Sequence, residues 1–264
     1  MKFWIKKIDK YFFLGLIKFA FEQSKNLFFY LNFRKYDQTQ IISHNFSYTI
    51  LEDLADKYGT DKGFNNLNKR IFYNNWHPHN YTDFYSKIFD HSRQHVRNIL
   101  ECGIGSNNPD IPSNMGTNYK PGGSLKMWKE YFCNAEIHGA DIDRNILFTE
   151  ERIKTFYVDQ LNEDSIKKMW TKINKKNFDL IIDDGLHTFE AGTIFFKNSI
   201  EYLSENGIFI IEDVDPSYLH KLILYFENDF YVEVVRLKSK KFNFLKDNNL
   251  ILIKHKNYEK KVKH

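Results

Sequence analysis

Cysteine is nearly absent: Cys102 and Cys133 are the only two in 264 residues, and they form no CxxC pair. That excludes a disulfide framework, and a reducing cytoplasm is the expected setting. A soft-metal site would need thiols or several histidines together, and no such cluster stands in the sequence. Proline is also scarce, at five residues, and there is neither an internal repeat nor a long low-complexity segment. No apolar run is long enough to cross a bilayer, because the most apolar stretch, near the N-terminus, is short and interrupted by Lys18. No small-residue cleavage site follows it, which disfavours a secretory signal.

What the chain has is aromatic bulk, with 25 Phe and 16 Tyr, and charge sorted along its length. Residues 1–40 carry +5 and 254–264 carry +4, and since the whole is +4 the body 41–253 carries −5. A mildly acidic body with basic ends does not suit a nucleic-acid-binding core, so no nucleic-acid partner is expected. Ile5, Ile8, Phe12, Leu16 and Phe19 fall on one helical face, which predicts an amphipathic helical extension over 1–40. That face is expected to pack on the body or in a homo-oligomer contact, with peripheral membrane contact as the alternative because its polar side is rich in lysine.

A second helix is expected to start at Thr49, with Glu52 placed as in a capping box, and to end by Gly59. A short helix follows Asn80, its expected cap. From about residue 97 strands and helices alternate. Strands are expected at 98–102, 135–141, 155–158, 178–183 and 207–213, and helices at 124–132, 146–152, 164–175, 189–204 and from Pro216. The segments 230–237 and 250–253 read as a closing antiparallel pair joined by a lysine-rich hairpin. The alternation predicts a largely parallel sheet covered on both faces.

Each expected parallel strand ends in an acid or a glycine turn, where open α/β sheets hold their ligands. The apolar run from Phe178 ends in Asp183-Asp184-Gly185-Leu186-His187, and the next strand ends in Glu212-Asp213. Neighbouring strand ends with carboxylates can hold a hard divalent cation, with His187 beside it. The first strand ends in Glu101-Cys102-Gly103-Ile104-Gly105, where glycine lets the backbone approach a ligand. Asn108 replaces the third glycine of a dinucleotide fingerprint, and Gly122-Gly123-Ser124 lacks the lysine of a phosphate loop. A nucleoside without a polyphosphate fits better. Asp141 is placed for its ribose hydroxyls, and Asp159-Gln160 for the adenine amino group. Glycine loop, ribose acid and adenine acid on consecutive strands form the layout of S-adenosyl-L-methionine-dependent methyltransferases.

With these motifs, and with Leu54–Lys62, His79–Thr82 and Pro121–Trp128, residues 50–218 resemble the metal-dependent sugar O-methyltransferases typified by mycinamicin VI 2''-O-methyltransferase, and the cephalosporin-hydroxylase-like family. The resemblance implies a Rossmann-like class I methyltransferase sheet of seven strands, mostly parallel with the last strand antiparallel, after an N-terminal helical extension. It implies four segments: the extension 1–40, a helical cap 41–96, the methyltransferase domain 97–255 and a basic tail 256–264. It makes Asp184, Glu212 and Asp213 ligands of magnesium, or of manganese in its place, and His187 the catalytic base. The cofactor is expected against Glu101, Gly103, Gly105, Asp141, Asp159, Gln160 and Asp183, with Lys62 reaching its carboxylate or an anionic acceptor. His79 and Tyr81 are substrate candidates, and His77 a weaker one. Leu186 stands where the family has serine, and Cys102 where an apolar residue is common.

The implied partner is a small-molecule acceptor, either a sugar or a phosphorylated metabolite. Methyl transfer to a phosphoramidate oxygen in capsule modification is an alternative drawn from the family. A non-catalytic, membrane-associated scaffold on the same fold is another, motivated by the extension. An NAD-dependent enzyme is disfavoured by Asn108 and by the distance of Asp141 from the glycine loop.

Overall fold

The computed structural model describes residues 39–43, 49–63, 78–238 and 246–256. The expected helix of the extension, Trp76 and His77, the lysines of the hairpin at 239–241 and the tail beyond Lys256 lie outside the described residues. Among the described residues no helix is long and apolar enough to cross a membrane.

Nine strands form one sheet: β1 (Thr39–Ser43), β2 (Asn98–Cys102), β3 (Glu136–Asp141), β4 (Thr149–Glu150), β5 (Ile153–Tyr157), β6 (Phe178–Asp183), β7 (Leu203–Ile211), β8 (Phe230–Lys238) and β9 (Asn249–His255), in the order β1-β8-β9-β7-β6-β2-β3-β5-β4. The seven from β8 to β5 make the expected sheet, with β9 antiparallel to both neighbours. β1 and the two-residue β4 add a strand at each edge. Pairing of β2 with β3 and β6, of β3 with β5, and of β6 with β7 is parallel.

Register aligns the strand ends. Cys102 pairs with Asp183, and Asp183 with Ile211, so β2, β6 and β7 end at one level. The next residues, Gly103, Asp184 and Glu212, therefore leave the sheet side by side.

Six helices are described: α1 (Ile50–Tyr58), α2 (Tyr81–Phe89), α3 (Gly123–Tyr131), α4 (Glu163–Ile173), α5 (Phe189–Lys197) and α6 (Pro216–Phe226). Thr49 caps α1 as expected, its Oγ1 accepting from the Glu52 amide at 3.1 Å, and Gly59 ends it in a left-handed conformation. Leu51, Leu54 and Ala55 of α1, Phe84 and Tyr85 of α2, and Leu125 and Trp128 of α3 share one buried cluster with Ile99, Ile137, Leu180, Ile182 and Ile210 of the sheet. Gln40–His264 form a single compact unit, so α1 and α2 belong to the same body as the sheet. The other layer is aromatic. Trp170 of α4 meets Phe178 edge-on at 5.2 Å and stacks on Tyr202 at 4.0 Å, and Phe196 of α5 meets both Phe209 and Phe226. Trp170, Phe178, Phe196, Phe209 and Phe226 are buried, and burial of a large apolar side chain contributes about 1.5–3 kcal/mol.

Three local expectations are corrected. The helix over 146–152 is instead a 3-10 turn at Arg144–Ile146 followed by β4, hairpinned onto β5. Thr155 holds the Phe148 backbone amide at 2.5 Å and its carbonyl at 2.6 Å, while Arg152 turns at φ +60° and donates to the carbonyls of Lys129 and Ala135. The helix over 189–204 stops at Lys197, because Ser199 accepts from Trp170 Nε1 and Tyr202 is drawn under that indole. Asn80 stands at the start of α2 without capping it: its Oδ1 accepts from Asn248 at 2.8 Å and its amide donates to Asp83.

Candidate active site

A cleft of about 250 Å³ opens at the carboxyl ends of β2, β3, β5, β6 and β7. Its floor is the turn after β2. Gly103 and Gly105 have φ of +86° and +81°, and a Cβ on either would overlap the Asp184 carbonyl or the Tyr119 ring. The glycines are thus required twice, by conformation and by space. Asp141, whose pKa is raised by burial, accepts from the amides of Ile104 and Asp143 at 2.9 Å each. It lines the cleft beside Asp159, whose Oδ1 accepts from the Leu161 amide. Ile142 and Leu161, about half exposed at 47% and 52%, flank them as apolar walls.

Four residues expected at the cofactor make other contacts: Gln160, Asp183, Glu101 and, described below, Lys62. Gln160 lines the cleft, but both ends of its amide are taken: Nε2 donates to Asp183 at 2.5 Å and Oε1 accepts from Leu186 at 2.8 Å. It braces the Asp184–His187 turn. Asp183 is buried behind that turn and does not line the cleft. Glu101 is fully buried behind it too, accepting from Ser124 at 2.7 Å and from Trp128 Nε1 at 3.2 Å.

At the other end of the cleft, ligand atoms of Asp184, His187 and Asp213 lie within 4.8 Å of one another. The sequence expectation grouped Asp184 and Asp213 with Glu212. Glu212 is instead fully buried, with Oε1 accepting from Tyr85 at 2.6 Å and Oε2 held by Lys62. Lys62, expected at a cofactor carboxylate or an anionic acceptor, is only 1% exposed. Its Nζ lies 2.7 Å from Asp184, 3.1 Å from Glu101, and in ion-pair contact with Glu212. Burial alone would lower its pKa, but Asp184, Glu212 and Glu101 raise it well above the usual value, so it stays charged. Burial pushes Glu212 up to about 7 and raises Asp184.

Tyr81 and His79 contact Asp213 from outside the cleft lining. Tyr81 donates to Asp213 Oδ1, and its ring stacks on His79 at 4.7 Å. Burial would lower the His79 pKa, but Asp213 at 3.4 Å, with Asp247, raises it to about 9. Burial likewise works against the Asp213 carboxylate, and His79 and His187 overcome it, so its pKa is lowered. His187 Nε2 lies 3.8 Å from the other Asp213 oxygen, and its carbonyl accepts from Tyr218 at 2.9 Å.

The donor set fits a hard divalent cation: carboxylate oxygens dominate, and His187 Nδ1 is a buried atom without a hydrogen-bond partner. The glycine floor, closed to a Cβ, fits a ligand lying flat against backbone.

No family model matches the chain. It is 30% identical over 168 residues to 8-demethyl-8-alpha-L-rhamnosyl tetracenomycin-C 2'-O-methyltransferase of Streptomyces olivaceus, covering 64% of this chain and 38% of that protein. It is 31% identical over 171 residues to mycinamicin VI 2''-O-methyltransferase of Micromonospora griseorubida, covering 64% and 37%. The chain therefore spans less than two fifths of the length of these curated relatives. Among solved structures, the MycE methyltransferase in complex with Mg, SAH and mycinamycin VI superposes with a TM-score of 0.57 at 21% identity, over 78% of this chain and 53% of that one.

The fold is that of a class I methyltransferase. In sequence the chain resembles sugar O-methyltransferases. Within this methyltransferase fold, sequence reasoning missed Tyr85, Ser124, Trp128 and Tyr119. The i, i+4 spacing of Tyr81 and Tyr85 on α2 was visible, but nothing local shows that the two phenols meet the Glu212–Asp213 pair. Burial raises the pKa of both, so they remain hydrogen donors.

Proposed function

We propose that the protein is an S-adenosyl-L-methionine-dependent, magnesium-dependent O-methyltransferase acting on the hydroxyl of a small sugar-like acceptor. The observation that carries this reading is the presence, in one cleft, of the Gly103–Gly105 floor and the Asp184, His187 and Asp213 cluster.

Gly103, Gly105, Asp141, Ile142, Asp159 and Leu161 would hold the cofactor, and Asp184 and Asp213 the cation, with Glu212 supporting them from behind. When bound, the sulfonium supplies the methyl group and the cation lowers the pKa of the acceptor hydroxyl. His187 Nε2 receives the acceptor's proton, a contribution on the order of 10²–10⁴ in rate. Asp213, 3.8 Å away, stabilises the imidazolium so formed. Gln160 holds the turn that carries His187, and the Leu186 side chain shapes the acceptor's approach. Lys62 is committed to three carboxylates, which supports a neutral hydroxyl over an anionic or phosphoramidate acceptor. The convergence of Asp184, His187 and Asp213 favours an enzyme over a scaffold.

The test is calorimetric titration with S-adenosylhomocysteine, with and without magnesium, followed by mass-spectrometric screening of nucleotide sugars and glycosides for methylation. Micromolar binding and an added methyl group that EDTA abolishes are expected. No binding in either condition would remove the methyltransferase reading.

A further inference from the structure

Three adjacent strands, β7, β6 and β2, each deliver a carboxylate to the same interior point: Glu212, Asp184 and Glu101. The cation that meets them is Lys62, on the loop after α1. Its position is held through the backbone, with its carbonyl accepting from the Thr82 amide at 3.0 Å and the Asp61 carbonyl accepting from the His79 amide at 2.7 Å. One ammonium thus serves three carboxyl groups.

Asp184 is shared. One of its oxygens is 2.7 Å from Lys62 Nζ, and it also belongs to the group with His187 and Asp213 that faces the cleft. Glu212 is held by Lys62 and Tyr85 and takes no part in that group. The ammonium therefore occupies the inner side of the carboxylates whose outer side fits a divalent cation. Two cations drawing on the same carboxylate weaken each other's hold, because each repels the other at short range.

We propose that Lys62 is an internal counter-ion that competes with the divalent cation for Asp184, holding the carboxylate cluster together before the ion arrives and setting the ion's affinity. This rests on the reading of the site as one that takes a divalent cation. Lysine suits the role better than arginine would. Its compact charge and three freely oriented hydrogens can keep Glu101 as a partner while yielding the others, whereas a guanidinium fork is fixed in plane. Glu101, outside the cleft lining, is then the residue that retains the ammonium.

The opposite role is a strut, in which Lys62 merely sets the carboxylates in place. The two roles predict opposite signs. As a competitor, Lys62→Met leaves the carboxylates without their inner cation: manganese and magnesium bind tighter, by about tenfold or more. The cation-free protein is at the same time less stable, and the cation restores a larger share of its melting temperature than in wild type. As a strut, its loss weakens cation binding.

The experiment is titration of the full chain with manganese alone, and with manganese under saturating S-adenosylhomocysteine. Wild type, Lys62→Met and Glu101→Gln are compared, with thermal unfolding followed in parallel. Glu101→Gln removes a partner of the ammonium from outside the cleft, throws Lys62 onto Asp184 and Glu212, and is expected to weaken cation binding several-fold. If Lys62→Met does not fold, Lys62→Gln, which keeps a hydrogen donor but no charge, is titrated in its place. Unchanged or weaker binding in Lys62→Met, or unchanged binding in Glu101→Gln, overturns the competitor role. Absence of cation binding in wild type overturns it together with the reading on which it rests.

Discussion

His187 and Asp213 face each other with Nε2 and Oδ2 3.8 Å apart, and both hold left-handed backbones, at φ +53° and +52°. A non-glycine residue in that region costs of order 1–3 kcal/mol and persists only where its surroundings impose it. Here they do. Tyr218 holds the His187 carbonyl, and the Tyr81 hydroxyl accepts from the Asp213 amide at 3.1 Å. Two strained residues after adjacent strands face one another at one end of the cleft.

His187→Ala removes the proposed proton acceptor while leaving the glycine floor untouched. Turnover is expected to fall by at least about 10²-fold, with S-adenosylhomocysteine affinity within a factor of about three. Full activity in this variant would rule out His187 as the base.

Gly103→Ala meets both a positive φ and the Asp184 carbonyl. Because that obstacle is backbone, the turn must shift. The expected loss of stability is about 1–3 kcal/mol, with cofactor affinity reduced by more than tenfold. Urea denaturation and calorimetry measure the two, and an affinity left unchanged would exclude the glycine floor from the cofactor site.

Tyr85→Phe takes the hydrogen donor from Glu212 Oε1 in a fully buried setting. Leaving that oxygen unpaired is expected to cost about 1–3 kcal/mol. A change below about 0.5 kcal/mol in urea denaturation would contradict the pairing.

His138, buried on β3, has its pKa lowered from 6.5 to about 4, chiefly by burial. Its Nδ1 lies 3.2 Å from the Ile99 carbonyl, which can only accept, so the neutral ring carries its proton there. Between pH 4 and 6.5 the unfolded chain binds the proton that the folded chain refuses, so stability rises with pH across that window. The full contribution is present above the unfolded value and falls by about 3 kcal/mol as pH drops toward 4. His138→Leu should flatten this part of the stability profile; an unchanged slope would show that the ring titrates normally in the folded state.

Much of the fold was legible in the sequence because it rests on local pattern. Apolar runs ending in acids gave away β2, β3, β6 and β7, since a strand buried on both faces is mostly apolar until it leaves the sheet. The glycine pair at 103 and 105, the cap at Thr49 and the break at Pro216 were readable for the same reason: each states its own backbone requirement. The sequence could not assign side chains to partners across the sheet. Asp183 and Asp184 are adjacent in the chain, yet alternation sends one behind the turn and the other into the cluster. Lys62 lies 122 residues from Asp184 and 150 from Glu212, and only the shared level of three strand ends gives its ammonium all three carboxylates. A charge on a polar loop reads as solvated until the sheet closes over it. Residue types and strand ends were decided by the sequence itself; which acid faces the cleft, which is neutralised from within and which merely braces a turn were decided by register, because register alone sets the distances over which charges act.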